Sequence, residues 1–433
     1  MNLYMVSLGC AKNQVDTEMI LGVCKNKMTL VSSPSDADLI MINTCAFIES
    51  ARKEAIDTIL QLADYKENGA KLIVCGCLPQ RYKEEVEKLL PEVDRFISIS
   101  EYSDIAKIIN QVIDSKYDFE KYDFNNRIYS TPNYMRYVKI SEGCLNHCAF
   151  CAIPLIRGRL KSRTIESIVS EVKMHVDDGV YEINLISQDT TKYGFDLYNK
   201  LMLVELLKQI VMIPGDFKVR LLYLYPDIVT DELIDFIKDN PKIMPYFDIP
   251  IQHSEDKLLK KMYRRGNKEF LLDLFKKIRT KIPNSIIRTT LIVGFPYETE
   301  EDIDNLLSFM NEVRFDRLGA FTFSLEEGTK AVDYPNDIPE SVKQKRFEKV
   351  MALQQQINLE KNKELIGKII DDVFIIDYDE ENFMYVARGD GYAPDEIDGC
   401  IYVCAKEELK LGQRIRVKVL DCDEYTLTCE QCE

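Results

Sequence analysis

The 433-residue chain contains no run of eighteen apolar residues, about the length a membrane-spanning helix needs. Its first residues, Met1 to Val6, lack a basic segment followed by a long apolar stretch, so no secretory signal is expected there. An excess of basic residues is also missing. Lys and Arg number 56 against 72 Asp and Glu, a formal charge of −16. Nucleic-acid binders usually carry a basic footprint, so this balance argues against one. What is present is ordinary globular material, 46% hydrophobic and 30% charged, in a chain long enough for two or three domains. Thirteen cysteines without a secretory signal point to a reducing, cytoplasmic setting and to metal chemistry rather than disulfides.

The stretch Ser141 to Cys151 organises the rest. Cys144, Cys148 and Cys151 stand at C-x3-C-x2-C spacing just after a strand-like run, Tyr137–Ser141. Thiolates converging from one tight loop are how proteins hold iron–sulfur clusters. A four-iron cluster has four corners and this loop fills three, which leaves one iron able to bind something else. Zinc suits the pattern less well, because a structural zinc site wants a fourth Cys or His at a suitable distance. His147 is expected to point away from the loop's centre.

Residues 1–125 read as an α/β domain. Strand-like Leu3–Leu8, Leu39–Ile42 and Leu72–Cys75 lead into Cys10, Cys45 and Cys77, and helical patterns cover Ile48–Ala63 and Gln80–Leu90. Strand–helix alternation implies a parallel sheet, whose ligand sites lie beyond the carboxyl ends of the strands. The three cysteines should therefore meet at one sheet edge. Cys24 and Cys75 lack that placement and are assigned to packing. Ser115–Thr131, rich in Asp, Asn and Tyr, reads as a linker.

Residues 130–366 repeat the rhythm. Strands are expected at Tyr137–Ser141, Glu182–Ile186, Lys218–Tyr223, Tyr246–Ile251, Ile286–Val293 and Arg317–Phe323, with helices between them. Six such units make an open, partial (β/α) TIM barrel, in which chemistry sits at the strands' carboxyl ends. Polar strand ends there include Gln188, Asp189, Gln252 and His253, and Gly294 would let backbone approach a ring or ribose. Arg157, Arg159 and Arg163 admit two readings, contact with substrate or cofactor and solvated surface. Ser341–Leu365 forms a long helical pattern, with Val342, Val350, Ile357 and Leu365 on a loose apolar stripe, ending near Gly367.

Residues 367–433 change character to short strands with turn signals, a small antiparallel β-barrel of the oligonucleotide-binding sort. This module holds seven Lys and Arg against seventeen Asp and Glu, a net of −10. An acidic barrel repels phosphate backbones and attracts a basic partner. Its five cysteines, Cys400, Cys404, Cys422, Cys429 and Cys432, have no assigned role; the Cys429–Cys432 pair is expected on a frayed tail.

The three-cysteine loop resembles that of the radical S-adenosylmethionine enzymes. Cys10, Cys45 and Cys77 resemble cluster ligands of the methylthiotransferase N-terminal domain, and the run Ala393 to Gly399 resembles a TRAM domain. Ser141–Cys144, Asp248–His253, Arg288–Pro296 and Glu326–Thr329 look like the branch that modifies an aspartate of small-subunit ribosomal protein S-twelve. The sister branch, which modifies tRNA adenosine, tends to have Gln-Ser-Gly where this chain has Gln252-His253-Ser254. Leu145 and His147 depart from the Asp and Arg more usual in the family, and Tyr297 from a usual Gly.

The resemblance implies two 4Fe-4S clusters as cofactors. One, on Cys144, Cys148 and Cys151, would bind and cleave S-adenosylmethionine. The other, on Cys10, Cys45 and Cys77, would carry the sulfur. Gln188, Asp189, Gln252 and Gly294 would contact the S-adenosylmethionine. The implied substrate is the basic ribosomal protein, served by an external electron donor, with no membrane and no direct nucleic-acid substrate. The competing readings are a tRNA methylthiotransferase and a non-catalytic Fe–S sulfur or electron carrier.

Overall fold

The computed structural model describes residues 1–335, 337–394 and 397–432. Asp395 and Glu396, within the run expected to mark the TRAM module, lie outside the described residues. Among the described residues no helix is long and apolar enough to cross a membrane.

The first domain is a five-stranded parallel sheet of β1 (Asn2–Ser7), β2 (Thr29–Leu30), β3 (Leu39–Thr44), β4 (Lys71–Gly76) and β5 (Arg95–Ser98), ordered β2-β1-β3-β4-β5. Three of these strands are legible from their apolar runs. β2 is two exposed residues with no pattern to read, and β5 is a short edge strand. β3 is buried along its whole length, as expected of a parallel strand covered on both faces. Helix α1 (Ala11–Cys24) follows β1, α2 (Glu49–Ala63) follows β3, and α3 (Cys77–Leu89) follows β4. Cys24 and Cys75 are buried in this domain's apolar core, consistent with packing.

The register sets the cysteines' meeting place. Ser7 pairs with Asn43, and Thr44 pairs with Gly76. Cys45 and Cys77 come directly after the ends of their strands, and Cys10 follows β1 by three residues.

The central domain carries β6 (Met135–Lys139), the short pair β7 (Ser141–Glu142) and β8 (Lys161–Ser162), then β9 (Glu182–Ile186), β10 (Lys218–Leu221), β11 (Ile243–Asp248), β12 (Ile286–Val293) and β13 (Arg317–Thr322). The six main strands form one parallel sheet ordered β13-β12-β11-β10-β9-β6, the open partial barrel expected. Thr230 caps the helix Asp231–Asp239 by accepting from the Leu233 N–H, while Asp231 is that helix's first residue.

The last module is a closed barrel of β14 (Ile369–Asp379), β15 (Met384–Arg388), β16 (Cys400–Cys404), β17 (Arg414–Cys422) and β18 (Thr426–Cys432). It is not antiparallel throughout, because β16 and β18 run parallel. An odd number of strands cannot close with every neighbour opposed, so one parallel pair is required. Cys429 is buried in the barrel core and Cys432 ends a paired strand, so the expected frayed tail is instead structured.

Two further expectations change. The segment 115–131 is no free linker. The Arg127 guanidinium is fully buried, paired with Glu18 at 2.5 Å and Glu171 at 2.7 Å, and Phe124 stacks under Arg163. These contacts strap the first domain to the second. The long helix spans Glu340–Lys363, and its buried face is mostly polar (Lys343, Arg346, Gln354, Asn358, Asn362) rather than an apolar stripe. It ends before Gly367, whose N–H bonds to Val419 and turns the chain into the barrel.

The modules share cores. Ala11 and Val15 of the first domain, Tyr137 and Tyr246 of the second, and Phe374 and Ala393 of the third belong to one apolar cluster. A short helix, α4 (Ile105–Val112), completes the first domain, and α5 (Ile153–Arg157), directly after Cys151, inserts Ile156 into that domain's core.

Candidate active site

Cys10, Cys45, Cys77, Cys144, Cys148 and Cys151 all line one cavity of about 480 Å³ between the first and second domains. The Cys10 and Cys77 loops each depend on the glycine before the cysteine. Gly9 holds φ +89, and a Cβ there would stand 2.7 Å from Cys45 Cβ. Gly76 holds φ +103, and its Cβ would stand 2.3 Å from Asn43 Oδ1. Asn13 then ties the loops together, donating to the carbonyls of Leu8 (2.9 Å) and Thr44 (3.0 Å).

Arg157 joins the two cysteine groups. Its Nη2 donates to Asn13 and, at 3.4 Å, to Cys77 Sγ. Its Nη1 pairs with Asp16 at 2.6 Å and Glu142 at 3.3 Å. Burial would raise the Glu142 carboxyl, but Lys139 and Arg157 outweigh it and hold the group well below the usual carboxylate range. Glu142 in turn accepts from Gln188 Nε2 at 2.8 Å.

In the three-cysteine loop, the Asn146 N–H donates to Cys144 Sγ at 3.3 Å, and Cys148 Sγ lies 3.7 Å from the Tyr225 hydroxyl. Burial pushes the Cys45 thiol up to about 12 and the Cys144 thiol up to about 11. Burial also raises Cys77, opposed by Arg157. Among the described residues no three His, Cys, Asp or Glu side chains close on the point a single metal ion would take. The two cysteine groups line the cavity wall instead, and each offers three soft sulfur donors, a donor set that suits an iron–sulfur cluster rather than a single ion. The remaining wall is largely apolar, from Phe150, Ile153, Leu222 and Leu224.

The other expected residues divide. Gln188 and Gln252 line the cavity. Gln252 holds φ +74, pinned by its N–H to the Thr290 carbonyl and its carbonyl to the Ile292 N–H. Asp189 is buried behind the wall, accepting from Thr191, the Lys192 N–H and Asn146, which itself lines the cavity. The Cβ direction of Gly294 is filled by Lys343 of the long helix at 2.3 Å, where a ring or ribose was expected. His253 is fully buried, faces Glu298 and accepts two backbone N–H groups on Nδ1, so it does not reach a ligand directly. His147 and Arg159 are exposed, and Arg163 pairs with buried Glu171. Arg157 is neither solvated nor idle, since it touches a cavity cysteine. Lys12, Tyr223, Arg264 and Arg288 also line the cavity and were not expected there. Lys12 could have been suspected, since it lies two residues beyond Cys10.

The barrel completes the site. Ala393 and Ile397 reach the cavity, and Asp398 pairs with Arg288 at 3.2 Å. Glu326, first residue of the run that resembles the ribosomal-protein branch, pairs with Arg52 (2.6 Å) and Arg81 (2.9 Å) and clamps the first two domains.

Three family models match the chain: the uncharacterized protein family UPF0004 over residues 2–98, the radical SAM superfamily over 138–310, and the TRAM domain over 366–431. Ribosomal protein uS12 methylthiotransferase RimO of Aquifex aeolicus is 46% identical, covering 100% of this chain and 98% of that protein. The protein of the same name from Clostridioides difficile is 45% identical, covering 99% and 98%. Among solved structures, the radical S-adenosylmethionine methyltransferase TsrM from Kitasatospora setae, with cobalamin and a 4Fe-4S cluster bound, superposes with a TM-score of 0.55 at 13% identity over 76% of each chain, a likeness of fold alone. With nearly half its residues identical along its full length, the chain belongs to the RimO family of radical S-adenosylmethionine methylthiotransferases.

Proposed function

We infer that the chain adds a methylthio group to the β-carbon of an aspartate in ribosomal protein uS12. Cys144, Cys148 and Cys151 hold one 4Fe-4S cluster, and Cys10, Cys45 and Cys77 hold a second. The observation that carries this reading is that all six cysteines line a single cavity. When bound, the two clusters and S-adenosylmethionine supply a hydrogen-abstracting radical, the sulfur and the methyl group. The protein's own residues do the rest. Apolar side chains such as Leu222 and Leu224 keep water from a reactive centre. Gln188 and Gln252 offer amides to the polar parts of S-adenosylmethionine, while Asp189 acts from behind the wall by orienting Asn146. Ile397 and Phe321, both more than half exposed, form an apolar lip where the cavity meets solvent. The barrel's net −10 favours a basic ribosomal protein over tRNA.

Anaerobic reconstitution with iron, sulfide, a reductant and S-adenosylmethionine tests the assignment. Alanine at Cys144, Cys148 and Cys151 should abolish deoxyadenosine formation. Alanine at Cys10, Cys45 and Cys77 should spare it while stopping modification of uS12, as read by mass spectrometry. Equal loss of deoxyadenosine in both sets would refute the division of labour, and modification of tRNA instead of uS12 would refute the substrate.

A further inference from the structure

Four cations line the cavity: Lys12, Arg157, Arg264 and Arg288. Two are paired with carboxylates. Arg157 pairs with Asp16 and Glu142, and Arg288 with Asp248 (3.0 Å) and Asp398 (3.2 Å). Arg264 donates to the Pro250 carbonyl, stacks on Tyr225 and lies 3.8 Å from Cys148 Sγ, within the three-cysteine loop's surroundings.

Lys12 differs. It is only 6% exposed, and its Nζ donates to the Ser187 carbonyl at a long 3.3 Å. Beyond that it has the face of Tyr223, 3.3 Å from the ring centroid. Among the described residues no carboxylate comes within ion-pair distance of it. A buried ammonium without an anion is unfavourable, and a carbonyl plus a π face offset only part of that. The platform beneath it is held in place. Tyr223 has φ +61, a region bulky residues avoid, and its N–H is fixed to Asp248 Oδ2 at 2.8 Å.

The geometry points to Lys12 as the residue that binds the carboxylate of the substrate aspartate. This rests on the substrate reading above. The carboxylate is bonded directly to the β-carbon, so wherever that carbon reacts, a negative charge enters a cavity with mostly apolar walls. Such a charge needs a cation that is not already neutralised. Lys12 stands on the Cys10 side, from which sulfur would arrive, whereas Arg264 stands against Cys148. An amide or a neutral base would gain little from the ammonium, so Lys12 is a specificity determinant for an acidic side chain.

The test is binding without turnover. Full-length reconstituted enzyme, with no S-adenosylmethionine added, is titrated against purified uS12 and against uS12 carrying Asp→Asn at the modified position, with fluorescence anisotropy as the readout. Wild type should prefer the aspartate form by roughly tenfold, the scale of one charge-assisted hydrogen bond. Lys12→Met should bind both forms alike, and Lys12→Arg should restore most of the preference. An undiminished preference in Lys12→Met overturns the inference. So does loss of iron from that variant, which would assign the charge to the Cys10 centre. If wild type binds neither form, the substrate reading itself fails; if wild type discriminates and Lys12→Met discriminates equally, only the role of Lys12 fails.

Discussion

Arg157 reaches Cys77 Sγ with one nitrogen and Glu142, two residues before Cys144, with the other. One side chain thus fixes the distance between the two cysteine groups. Removing it leaves Asp16 and Glu142 with Lys139 as their shared cation. Arg157→Ala should therefore lower unfolding free energy by about 3–5 kcal/mol in denaturant titration, the range for breaking a buried ion pair. Arg157→Lys keeps charge but not the fork, so it should recover part of that stability while leaving the contact to Cys77 broken. Iron content per chain checks the second half of the claim: it should fall below wild type in both variants.

Glu182 predicts an acid transition. It is buried between Arg220 (2.9 Å) on β10 and Arg388 (2.6 Å) of the barrel, so it docks the barrel onto the sheet. Burial would raise its carboxyl, but Arg388 and Arg220 outweigh it and hold the group at about 2, against an ordinary value of 4.5. A depressed folded-state value contributes stability that is complete above pH ~4.5 and is lost as pH falls toward 2. The contribution is about 3 kcal/mol at neutral pH. Circular dichroism should show wild type losing stability across that window. Glu182→Gln should be less stable at pH 7 and show a flatter pH dependence there.

Gly76 predicts a local failure with a distant effect. At φ +103, an alanine Cβ would meet Asn43 Oδ1 at 2.3 Å and the Thr44 carbonyl at 2.6 Å. Gly76→Ala should cost about 1–3 kcal/mol in backbone strain. Because Cys77 is the first residue of α3, the shift falls directly on a cavity cysteine. Gly179→Ala has a similar φ of +84 but open space around it, and so separates strain from displacement. Both variants should lose stability, but only Gly76→Ala should also lose iron.

These particulars show where the sequence is legible. The strands read cleanly because β3 and β4 carry the apolar runs Leu39–Ile42 and Leu72–Cys75, and Ile286–Val293 alternates between buried and half-buried positions. The convergence of Cys10, Cys45 and Cys77 followed from strand ends alone, because parallel register carries it. Helix α1 could not be read by amphipathicity, since nearly every side chain on it is buried, including Lys12, Asp16 and Glu18. The partners of Asp16 and Glu18 lie far along the chain, at Lys139, Arg157 and Arg127. Arg157 was ambiguous for the same reason. The long helix hid its buried face because that face is polar and satisfied by hydrogen bonds, such as Gln354 Nε2 to the Phe315 carbonyl. Local pattern reports apolar burial, whereas buried charge is decided by contacts that sequence spacing does not show.

The barrel's charge yields the last expectation. Seventeen acidic residues in this module would draw a basic protein at long range, and exposed charges are screened over about 8 Å at physiological salt. The association rate of the enzyme with uS12 should therefore fall steeply between 50 and 500 mM salt (roughly tenfold or more), while the dissociation rate changes little. Reversing exposed acids such as Glu380 and Glu381 to lysine should reduce both the rate and its salt dependence. These residues are exposed and pair with no cation among the described residues, so folding should be unaffected within about 0.5 kcal/mol. Stopped-flow association measured across salt concentrations distinguishes the outcomes. A salt-independent rate, or tighter binding of tRNA than of uS12 by the wild-type protein, would show that the barrel's charge does not select the partner.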